Sequence, residues 1–210
     1  AEAGVQMKGE TDMGDAFFGY SRKKIATTYR APLGTILCIG PFNYPFNLTG
    51  TKIAPALMTG NTVIVKPPTD GAITPLYYGR IFSFAGLPPG VLNVVTGKGS
   101  EIGDHLVSHP NIDMIAFTGS SETGIRISKT AGMKPLQLEL GGKDAAIVMD
   151  DADLERTSSE IVSGAFSYNG QRCTAVKRVL PMPSIADELV NKVVEKTKNH
   201  KPDLLFLDIE

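Results

Sequence analysis

The sequence has neither an excess of one charge nor a long apolar segment. Its 210 residues include 21 lysine and arginine residues and 22 aspartate and glutamate residues, which give a formal net charge of -1. A chain with this balance offers no basic field to nucleic acid and no strong attraction to an anionic membrane. Because no run of about 18 apolar residues occurs, we also expect no transmembrane helix.

Cysteine and histidine are scarce as well. The two cysteines cannot build a disulfide framework, and the composition fits a reducing compartment. The three histidines, at positions 105, 109 and 200, have no metal-ligand spacing with cysteine or with each other, so we expect no metal site. The first 15 residues are polar and lack the apolar core of a secretion signal. These features predict a cytoplasmic protein.

Glycine and proline are abundant by contrast, with 22 and 14 residues, and they indicate many turns between short elements. Five short runs are almost continuously apolar, as strands buried on both faces of a parallel sheet are. These runs are Thr35–Ile39, Thr62–Val65, Val91–Val95, Met114–Phe117 and Ala145–Met149. One further strand is predicted at Lys24–Tyr29, within a small N-terminal hairpin.

Helix-compatible segments alternate with the apolar runs. They are Leu48–Thr59, Ile73–Ala85, Ser100–Ser108, Ser121–Ala131, Leu154–Tyr168 and Ile185–His200. We expect Ser100 and Ser121 to act as N-caps, and Gly86 and Gly132 to occupy C′ positions. The alternation of strand and helix predicts an α/β fold, with a Rossmann-like parallel sheet and helices on both faces.

Ligands of open parallel sheets bind beyond the carboxyl ends of the strands, so the residues after each apolar run are candidates for a site. Residues 97–103 resemble the dinucleotide fingerprint G-x-G-x-x-G with one residue too many, and a plain strand-to-helix turn is the competing interpretation. Residues 119–124 open a helix, whose first N–H groups could hold a phosphate or form a simple capped turn. The residues alone leave both alternatives open.

The two cysteines differ in their sequence surroundings. Cys38 lies inside an apolar run, which predicts an inert core residue. Cys173 follows Arg172 in a polar stretch that contains glycine, and a neighbouring cation favours the thiolate, which is the nucleophilic form. No histidine lies near Cys173 in the sequence. A catalytic and a non-catalytic interpretation of Cys173 therefore both remain open from these residues.

Glu139 is a carboxylate within the apolar segment Leu136–Leu140. Burial of a carboxylate is costly and favours its protonated form, which is how a carboxyl group becomes a general base near neutral pH. The alternative is a strand glutamate that faces solvent.

Five segments resemble, in order and at matching separations, the motifs of the aldehyde dehydrogenase superfamily. They are Pro41–Pro45, Lys66–Thr69, Phe117–Ser120, Leu138–Lys143 and Gly170–Thr174. The likeness is greatest to the branch of non-phosphorylating, NADP-dependent glyceraldehyde-3-phosphate dehydrogenases. It implies an approach segment at residues 1–30, a dinucleotide-binding domain at 31–140, and the beginning of a second, catalytic α/β domain at 141–210.

The resemblance also implies roles for individual residues. Cys173 matches the nucleophile, Glu139 the group that activates water, and Asn43 the amide that helps to form the oxyanion hole. The residues that match cofactor contacts are Gly40, Lys66, Thr69, Asp104, Gly119, Ser120 and Thr123. The residues that match substrate contacts are Asn43, Tyr44, Arg172 and Thr174.

Thr69 bears on the choice of cofactor. Relatives that prefer NAD commonly have a glutamate at this position, which would repel a 2′-phosphate, whereas a threonine hydroxyl can donate a hydrogen bond to it. Lys66 adds a positive charge nearby. The resemblance therefore implies NADP rather than NAD.

The resemblance also predicts that the chain is a fragment, because members of the superfamily are longer and this sequence ends soon after the matched nucleophile. The implied activity is irreversible oxidation of an aldehyde, glyceraldehyde 3-phosphate, to 3-phosphoglycerate through a thiohemiacetal and thioester on the cysteine. A broad-specificity aldehyde dehydrogenase and a nucleotide-binding fragment without turnover are the alternatives. We expect the full-length parent to be a homo-oligomer.

Overall fold

The computed structural model describes residues 7–16, 18–19 and 22–199. The chain divides into two compact units, residues 1–139 and 140–210. Within the described residues, no helix has the length and apolar character that a membrane span requires. His200, the predicted last residue of the final helix, lies outside the described part.

The first unit begins with a small antiparallel hairpin. Strand β1 (Thr11–Met13) pairs with β2 (Ile25–Thr27), and Met13 lies opposite Ile25. The predicted strand at Lys24–Tyr29 is thus confirmed in a shorter form.

A five-stranded, all-parallel sheet follows in the first unit. Its strands are β3 (Thr35–Ile39), β4 (Thr62–Lys66), β5 (Leu92–Val94), β6 (Met114–Thr118) and β7 (Leu136–Glu139). They are arranged in the order β5-β4-β3-β6-β7. Four of the five apolar runs therefore form the predicted sheet, and the fold class is confirmed.

The fifth apolar run forms a strand outside this sheet. Ala145–Met149 overlaps β8 (Asp144–Val148), which pairs in parallel with β9 (Val176–Pro181) in a separate two-stranded sheet of the second unit. The fifth strand of the large sheet is Leu136–Glu139, whose side chains alternate between half-buried and exposed. An edge strand of this kind lacks the continuous apolar pattern of a central strand.

Four helices connect the strands of the large sheet. They are α1 (Asn47–Met58), α2 (Ile73–Phe84), α3 (Gly99–Ser108) and α4 (Ser121–Thr130). The chain moves outward from β3 to β5 and then returns to β6 on the other side of β3. Because such crossovers are right-handed, α1 and α2 cover one face and α3 and α4 the other. The reversal between β3 and β6 is the point at which doubly wound sheets bind ligands.

The core of the first unit lies between the central strands and α1. Cys38, Val63 and Val65 from the sheet are fully buried there, and Ile53 from α1 packs against them. Burial of each of these apolar side chains contributes roughly 1.5–3 kcal/mol. The strands whose ends carry the candidate residues are therefore held in place by this buried core.

The helix ends differ in part from the prediction. The N-cap of α3 is Lys98 and not Ser100, and no side chain caps this helix. The N-cap of α4 is Ser120 and not Ser121, since its Oγ accepts a hydrogen bond from the Thr123 N–H at 3.2 Å. Each predicted cap lay one or two residues late because the helix begins earlier than the apolar pattern does.

The predicted C′ glycines, in contrast, are confirmed. Gly86 and Gly132 have positive φ values of 86° and 67° directly after α2 and α4, a conformation that glycine adopts without a steric penalty.

The second unit packs two helices against its two-stranded sheet. Helix α5 (Leu154–Phe166) is capped by Asp153, and α6 (Ala186–Asn199) closes the described part of the chain. Val148, Ile161 and Leu189 form the buried core of this unit.

Candidate functional site

The first unit contains a cavity of about 270 Å³ at the carboxyl ends of its central strands. Two residues that line the cavity are the last residues of their strands, Ile39 of β3 and Lys66 of β4. The remaining lining residues come from α3 and α4 and are Gly99, Ser100, Gly103, Asp104, Val107, Thr123, Arg126 and Ile127. The cavity thus lies at the predicted position for a ligand of an open parallel sheet.

Glycines keep the α3 side of this cavity open. A Cβ atom added at Gly99 or at Gly103 would meet no atom within 4 Å, so a side chain at either position would extend into free space at the wall. The first turn of α3 also has no capping side chain. The Glu101 and Ile102 N–H groups donate to the Lys98 carbonyl, which leaves those of Gly99 and Ser100 for an anionic ligand, and the helix dipole favours such a ligand.

Lys66 supplies a positive charge at the cavity. Its side chain is buried, and Nζ donates a hydrogen bond to the Pro67 carbonyl at 3.0 Å. Burial lowers the pKa of Lys66, because desolvation penalises the charged form. An ammonium group has three donors, so this one bond leaves capacity for an anion in the cavity.

Asp104 is bound by an arginine that sequence reasoning missed. Arg126 donates from Nε to Asp104 Oδ1 at 3.0 Å and from Nη2 to Oδ2 at 2.6 Å. This bidentate hydrogen bond lowers the pKa of Asp104, and it offsets the negative charge at the rim of the cavity. The signal was available in the sequence, because Arg126 lies three residues after Thr123 and so shares its helix face.

The predicted cofactor residues fall into two groups in the structure. Lys66, Asp104 and Thr123 meet at the cavity. Gly40, Thr69, Gly119 and Ser120 are not among the residues that line it. Thr69 is exposed, three residues beyond the end of β4.

Gly40 and Gly119 instead allow close packing at the ends of β3 and β6. A Cβ atom at Gly40 would lie 1.9 Å from Thr49 Oγ1, and one at Gly119 would lie 2.4 Å from the Phe117 ring. Neither position tolerates a side chain without movement of its neighbour.

Lys52 is a buried cation that sequence reasoning also missed. It lies on α1, and its Nζ donates to the Leu48 carbonyl at 3.3 Å and to the Thr118 hydroxyl at the end of β6. Burial lowers the pKa of Lys52, while attraction to Cys38 and Glu139 opposes this shift. Lys52 is thus a cation held inside the fold close to two groups that carry negative charge when ionised.

Glu139 is exposed and ends the edge strand β7. Of the two interpretations of Glu139, the structure agrees with the strand glutamate that faces solvent and not with the buried carboxylate, because an edge strand leaves the side chain of its last residue in solvent. Its backbone carbonyl accepts a hydrogen bond from the Gly119 N–H at 3.0 Å, which joins two of the recognised motifs. The role of Glu139 as a base stays a prediction.

Asn43 and Tyr44 lie in the turn between β3 and α1. Asn43 is half-buried, and its Oδ1 accepts a hydrogen bond from the Tyr44 N–H at 3.0 Å. This bond fixes the orientation of the amide, and it leaves the amide NH₂ group as the donor end of the side chain.

In the second unit, Cys173 follows a backbone segment of unusual conformation. Tyr168, Asn169 and Gly170 have φ values of 56°, 53° and 68° in succession. A non-glycine residue in this left-handed region costs of order 1–3 kcal/mol, and such residues cluster at functional sites. The turn brings the chain sharply from the end of α5 to the exposed Cys173.

Three further contacts fix the position of the Cys173 loop. Arg172 donates from Nη2 to the Gly164 carbonyl at 2.9 Å, so its guanidinium is tied to α5. Lys177 donates to three carbonyl oxygens of the loop, including that of Cys173 at 2.9 Å. A Cβ atom at Gly142 would lie 2.6 Å from the Cys173 carbonyl oxygen, so glycine is required there. Thr174 is exposed beside Cys173.

A family model described as "Aldehyde dehydrogenase family" matches residues 1–203. The chain is 55% identical over 199 residues to an NADP-dependent glyceraldehyde-3-phosphate dehydrogenase of Streptococcus equinus, covering 95% of this chain and 42% of the relative. It is 57% identical to the protein of that name from Arabidopsis thaliana, covering 93% of this chain and 40% of the relative.

A solved structure gives the same result at the level of the fold. It is that of an NADP-dependent glyceraldehyde-3-phosphate dehydrogenase from Bacillus halodurans complexed with NADP. The TM-score is 0.88 at 57% identity, and the match covers 94% of this chain and 42% of that chain. The chain thus spans about two fifths of the length of these three proteins.

Proposed function

Because the chain belongs to the aldehyde dehydrogenase family, we propose that its full-length protein is an NADP-dependent dehydrogenase. The proposed reaction is the irreversible oxidation of glyceraldehyde 3-phosphate to 3-phosphoglycerate. The observation that carries this proposal is the identity of 55% and 57% to two relatives named for that activity, over almost the whole of the chain.

The cavity of the first unit has the features that an NADP adenosine moiety requires. Lys66 provides a cation, the uncapped start of α3 provides N–H donors, and Gly99 and Gly103 leave room for a ligand. When bound, NADP supplies the acceptor for a hydride, and the protein contributes position and electrostatics. Thr69 favours NADP over NAD because a hydroxyl can donate a hydrogen bond to a 2′-phosphate, which a carboxylate would repel.

We assign the nucleophile to Cys173. Its thiolate adds to the aldehyde carbonyl, so a C–S bond forms and the carbonyl electron pair moves onto oxygen. The side-chain amide of Asn43 and the backbone N–H of Cys173 stabilise this oxyanion. Loss of a hydride from the same carbon then leaves a thioester on Cys173.

We assign the second half of the reaction to Glu139. Its carboxylate accepts a proton from water as the water attacks the thioester, and the C–S bond breaks to release the acid and the thiolate. The exposure of Glu139 supports this assignment, since the base must reach a water molecule. Tyr44, Arg172 and Thr174 are the proposed substrate contacts.

The proposed setting is the cytoplasm, with a homo-oligomeric full-length protein. A second candidate concerns the 210-residue chain by itself: a nucleotide-binding module without turnover. All of the residues that line the cavity lie within residues 1–139, which favours binding by this chain alone, whereas these two relatives carry more than half of their length outside the matched region.

A turnover assay tests these proposals. The full-length protein is supplied with NADP or NAD and with glyceraldehyde 3-phosphate, glyceraldehyde or an aliphatic aldehyde, and reduction of the cofactor is followed by absorbance. We expect the phosphorylated aldehyde and NADP to give the largest kcat/KM. Similar values for all three aldehydes would instead favour the broad-specificity alternative. The same assay on the 210-residue chain, together with a titration of NADP binding, distinguishes binding from turnover.

A further inference from the structure

Lys177 lies four residues beyond Cys173, near the start of β9, and its side chain turns back onto the Cys173 loop. Its Nζ donates hydrogen bonds to the carbonyl oxygens of Arg172 at 3.0 Å, Cys173 at 2.9 Å and Ala175 at 3.0 Å. An ammonium group has three N–H donors. All three N–H donors of Lys177 are therefore bonded to the loop that carries Cys173.

These bonds determine the direction of two neighbouring N–H groups. In a trans peptide the C=O and N–H of one unit point in opposite directions, and the described residues contain no cis peptide. Since the carbonyls of Arg172 and Cys173 point toward Lys177, the N–H groups of Cys173 and Thr174 point away from it. Among the backbone hydrogen bonds of turns and loops in the described part of the chain, none is donated by the Cys173 or the Thr174 N–H.

The positive charge of Lys177 also polarises these peptide units. A cation at a carbonyl oxygen draws electron density from the amide nitrogen, which makes the N–H of the same unit a stronger donor. The Arg172 carbonyl additionally accepts a hydrogen bond from the Ala175 N–H at 3.1 Å. Two donors thus act on the one peptide unit whose N–H belongs to Cys173.

We propose that Lys177 is a positioning residue that orients and polarises the Cys173 and Thr174 N–H groups as donors to a developing oxyanion. The inference rests on the proposed function, in which Cys173 is the nucleophile. When its thiolate adds to a carbonyl, the C–S bond forms and the carbonyl π electrons move onto oxygen. Lys177 acts on that oxygen only through the two peptide units and does not touch the substrate.

A purely structural clamp is the competing role for Lys177, and two reagents separate the two roles. Iodoacetamide alkylates the Cys173 thiolate by displacement of iodide, and no oxyanion forms at its carbonyl. p-Nitrophenyl acetate acylates the same thiolate through a tetrahedral oxyanion and releases p-nitrophenolate. Neither reagent needs the cofactor, so both rates are measured on the 210-residue chain, with mass spectrometry to assign the adduct to Cys173.

We expect Lys177→Met to slow acylation of Cys173 about tenfold, which is less than the roughly 10²–10³-fold cost of removing an oxyanion donor outright. Alkylation by iodoacetamide should stay within about twofold of the wild type. Lys177→Arg, which keeps the charge, should recover part of the acylation rate. Arg178→Met is the matched control on the same strand, because Arg178 donates from Nε to the Lys143 carbonyl at 2.8 Å and not to the loop.

Two outcomes would overturn the inference. An equal loss of both rates in Lys177→Met would identify a structural clamp, and no loss of either rate would remove Lys177 from the site. If Lys177→Met does not fold, Lys177→Gln and Lys177→Arg are compared instead, and equal acylation rates in that pair contradict the role of charge. Failure of the proposed function looks different: wild-type Cys173 would then react with both reagents no faster than Cys38.

Discussion

The two cysteines of this chain carry the same thiol in opposite surroundings. Cys38 is fully buried in the centre of the parallel sheet, and burial raises its pKa to about 12. Cys173 is exposed on a loop that follows three successive left-handed residues, and Lys177 binds its carbonyl oxygen. The comparison teaches that position within the fold, and not the side chain itself, separates an inert thiol from a candidate nucleophile.

The same contrast distinguishes the two units in which the cysteines lie. The first unit presents its candidate residues at the ends of regular strands, where the backbone is in low-energy conformations and a buried core supports it. The second unit presents Cys173 on irregular backbone, which follows the left-handed residues Tyr168–Gly170 and whose carbonyls at Arg172 and Cys173 accept hydrogen bonds from Lys177. Binding on a rigid sheet and chemistry on a constrained loop are the corresponding proposed tasks.

The largest expected effect comes from removing each thiol in turn. Cys173→Ala should abolish aldehyde oxidation by the full-length protein, because no group remains to form the thioester. Cys38→Ala should retain the reaction, since Cys38 is buried in the sheet and remains protonated at neutral pH. The measurement is cofactor reduction under identical conditions, together with limiting iodoacetamide and mapping of the adduct. Preferential labelling of Cys38 in the folded protein would reverse the comparison.

Glu139→Gln in the full-length protein should separate the two halves of the reaction. In the proposed mechanism, hydride loss depends on Cys173 and Asn43, whereas hydrolysis of the thioester depends on Glu139. The variant should therefore show a burst of reduced cofactor of up to about one equivalent per site, followed by turnover slowed roughly 10²–10⁴-fold, the usual cost of losing a general base.

Stopped-flow absorbance resolves the two phases of that experiment, and Glu160→Gln on α5 serves as a control for loss of an exposed glutamate. Cys173→Ala should show neither burst nor turnover. Normal steady-state turnover of Glu139→Gln would mean that Glu139 is only the solvent-facing strand residue that the sequence also allowed.

How far the sequence predicted the fold depended on the position of each element in it. The central strands were found because they are apolar on both faces, whereas β7 entered only as the strand alternative for Glu139, because only alternate residues of this edge strand are partly buried. The helices were found as helix-compatible segments between the apolar runs, but the caps of α3 and α4 were misplaced. Cap geometry depends on backbone dihedral angles that the apolar pattern does not contain.

The site was predictable to the extent that its residues lie in contiguous motifs. Lys52 was missed because its partner Thr118 lies 66 residues away in sequence, so only the fold brings the two together. The pairing of Arg126 with Asp104 depends on the fold in the same way, since the two lie 22 residues apart, although the spacing of Arg126 from Thr123 already placed it on the same helix face. Lys177 is close to Cys173 in sequence, yet its three bonds follow from the path of the loop, which the residue types do not specify.

In the first unit, whose proposed task is cofactor binding, we expect an effect of intermediate size on the affinity for NADP. Thr69→Glu should weaken NADP binding by about 1–3 kcal/mol, the scale of a lost hydrogen bond to a charged group, because the new carboxylate repels the 2′-phosphate. NAD binding should change much less. Fluorescence titration of both cofactors against the wild type and the variant measures the difference. Thr69→Gln is the control of equal size without the charge.

Two results would contradict this assignment of the cofactor. One is tighter binding of NAD than of NADP by the wild type. The other is an equal weakening of NADP binding by Thr69→Glu and Thr69→Gln, which would point to side-chain size and not to charge.

The smallest expected effect sharpens the comparison at Cys38 itself. The pKa of this thiol is about 12 in the folded chain, whereas in the unfolded chain it has its ordinary value of 9.0. Below pH 9 both states hold the proton, and the stabilisation is fully present. As the pH rises from 9 toward 12 the unfolded state gains from ionisation, so the free energy of unfolding should fall by about 1.4 kcal/mol per pH unit through this group.

Urea denaturation of the wild type and of Cys38→Ala at pH 8 and pH 10 isolates this contribution. Other groups titrate in the same range, but they are common to both proteins, so the difference between the two pH dependences belongs to Cys38 and to its coupling with Lys52. We expect the wild type to lose about 1 kcal/mol more than Cys38→Ala between these pH values, since the effect begins only near the pKa of the unfolded thiol. Parallel pH dependences would show that the Cys38 thiol ionises as readily in the folded chain as in the unfolded one. The contrast with Cys173 would then have to rest on steric access alone, because burial would no longer hold the proton on Cys38.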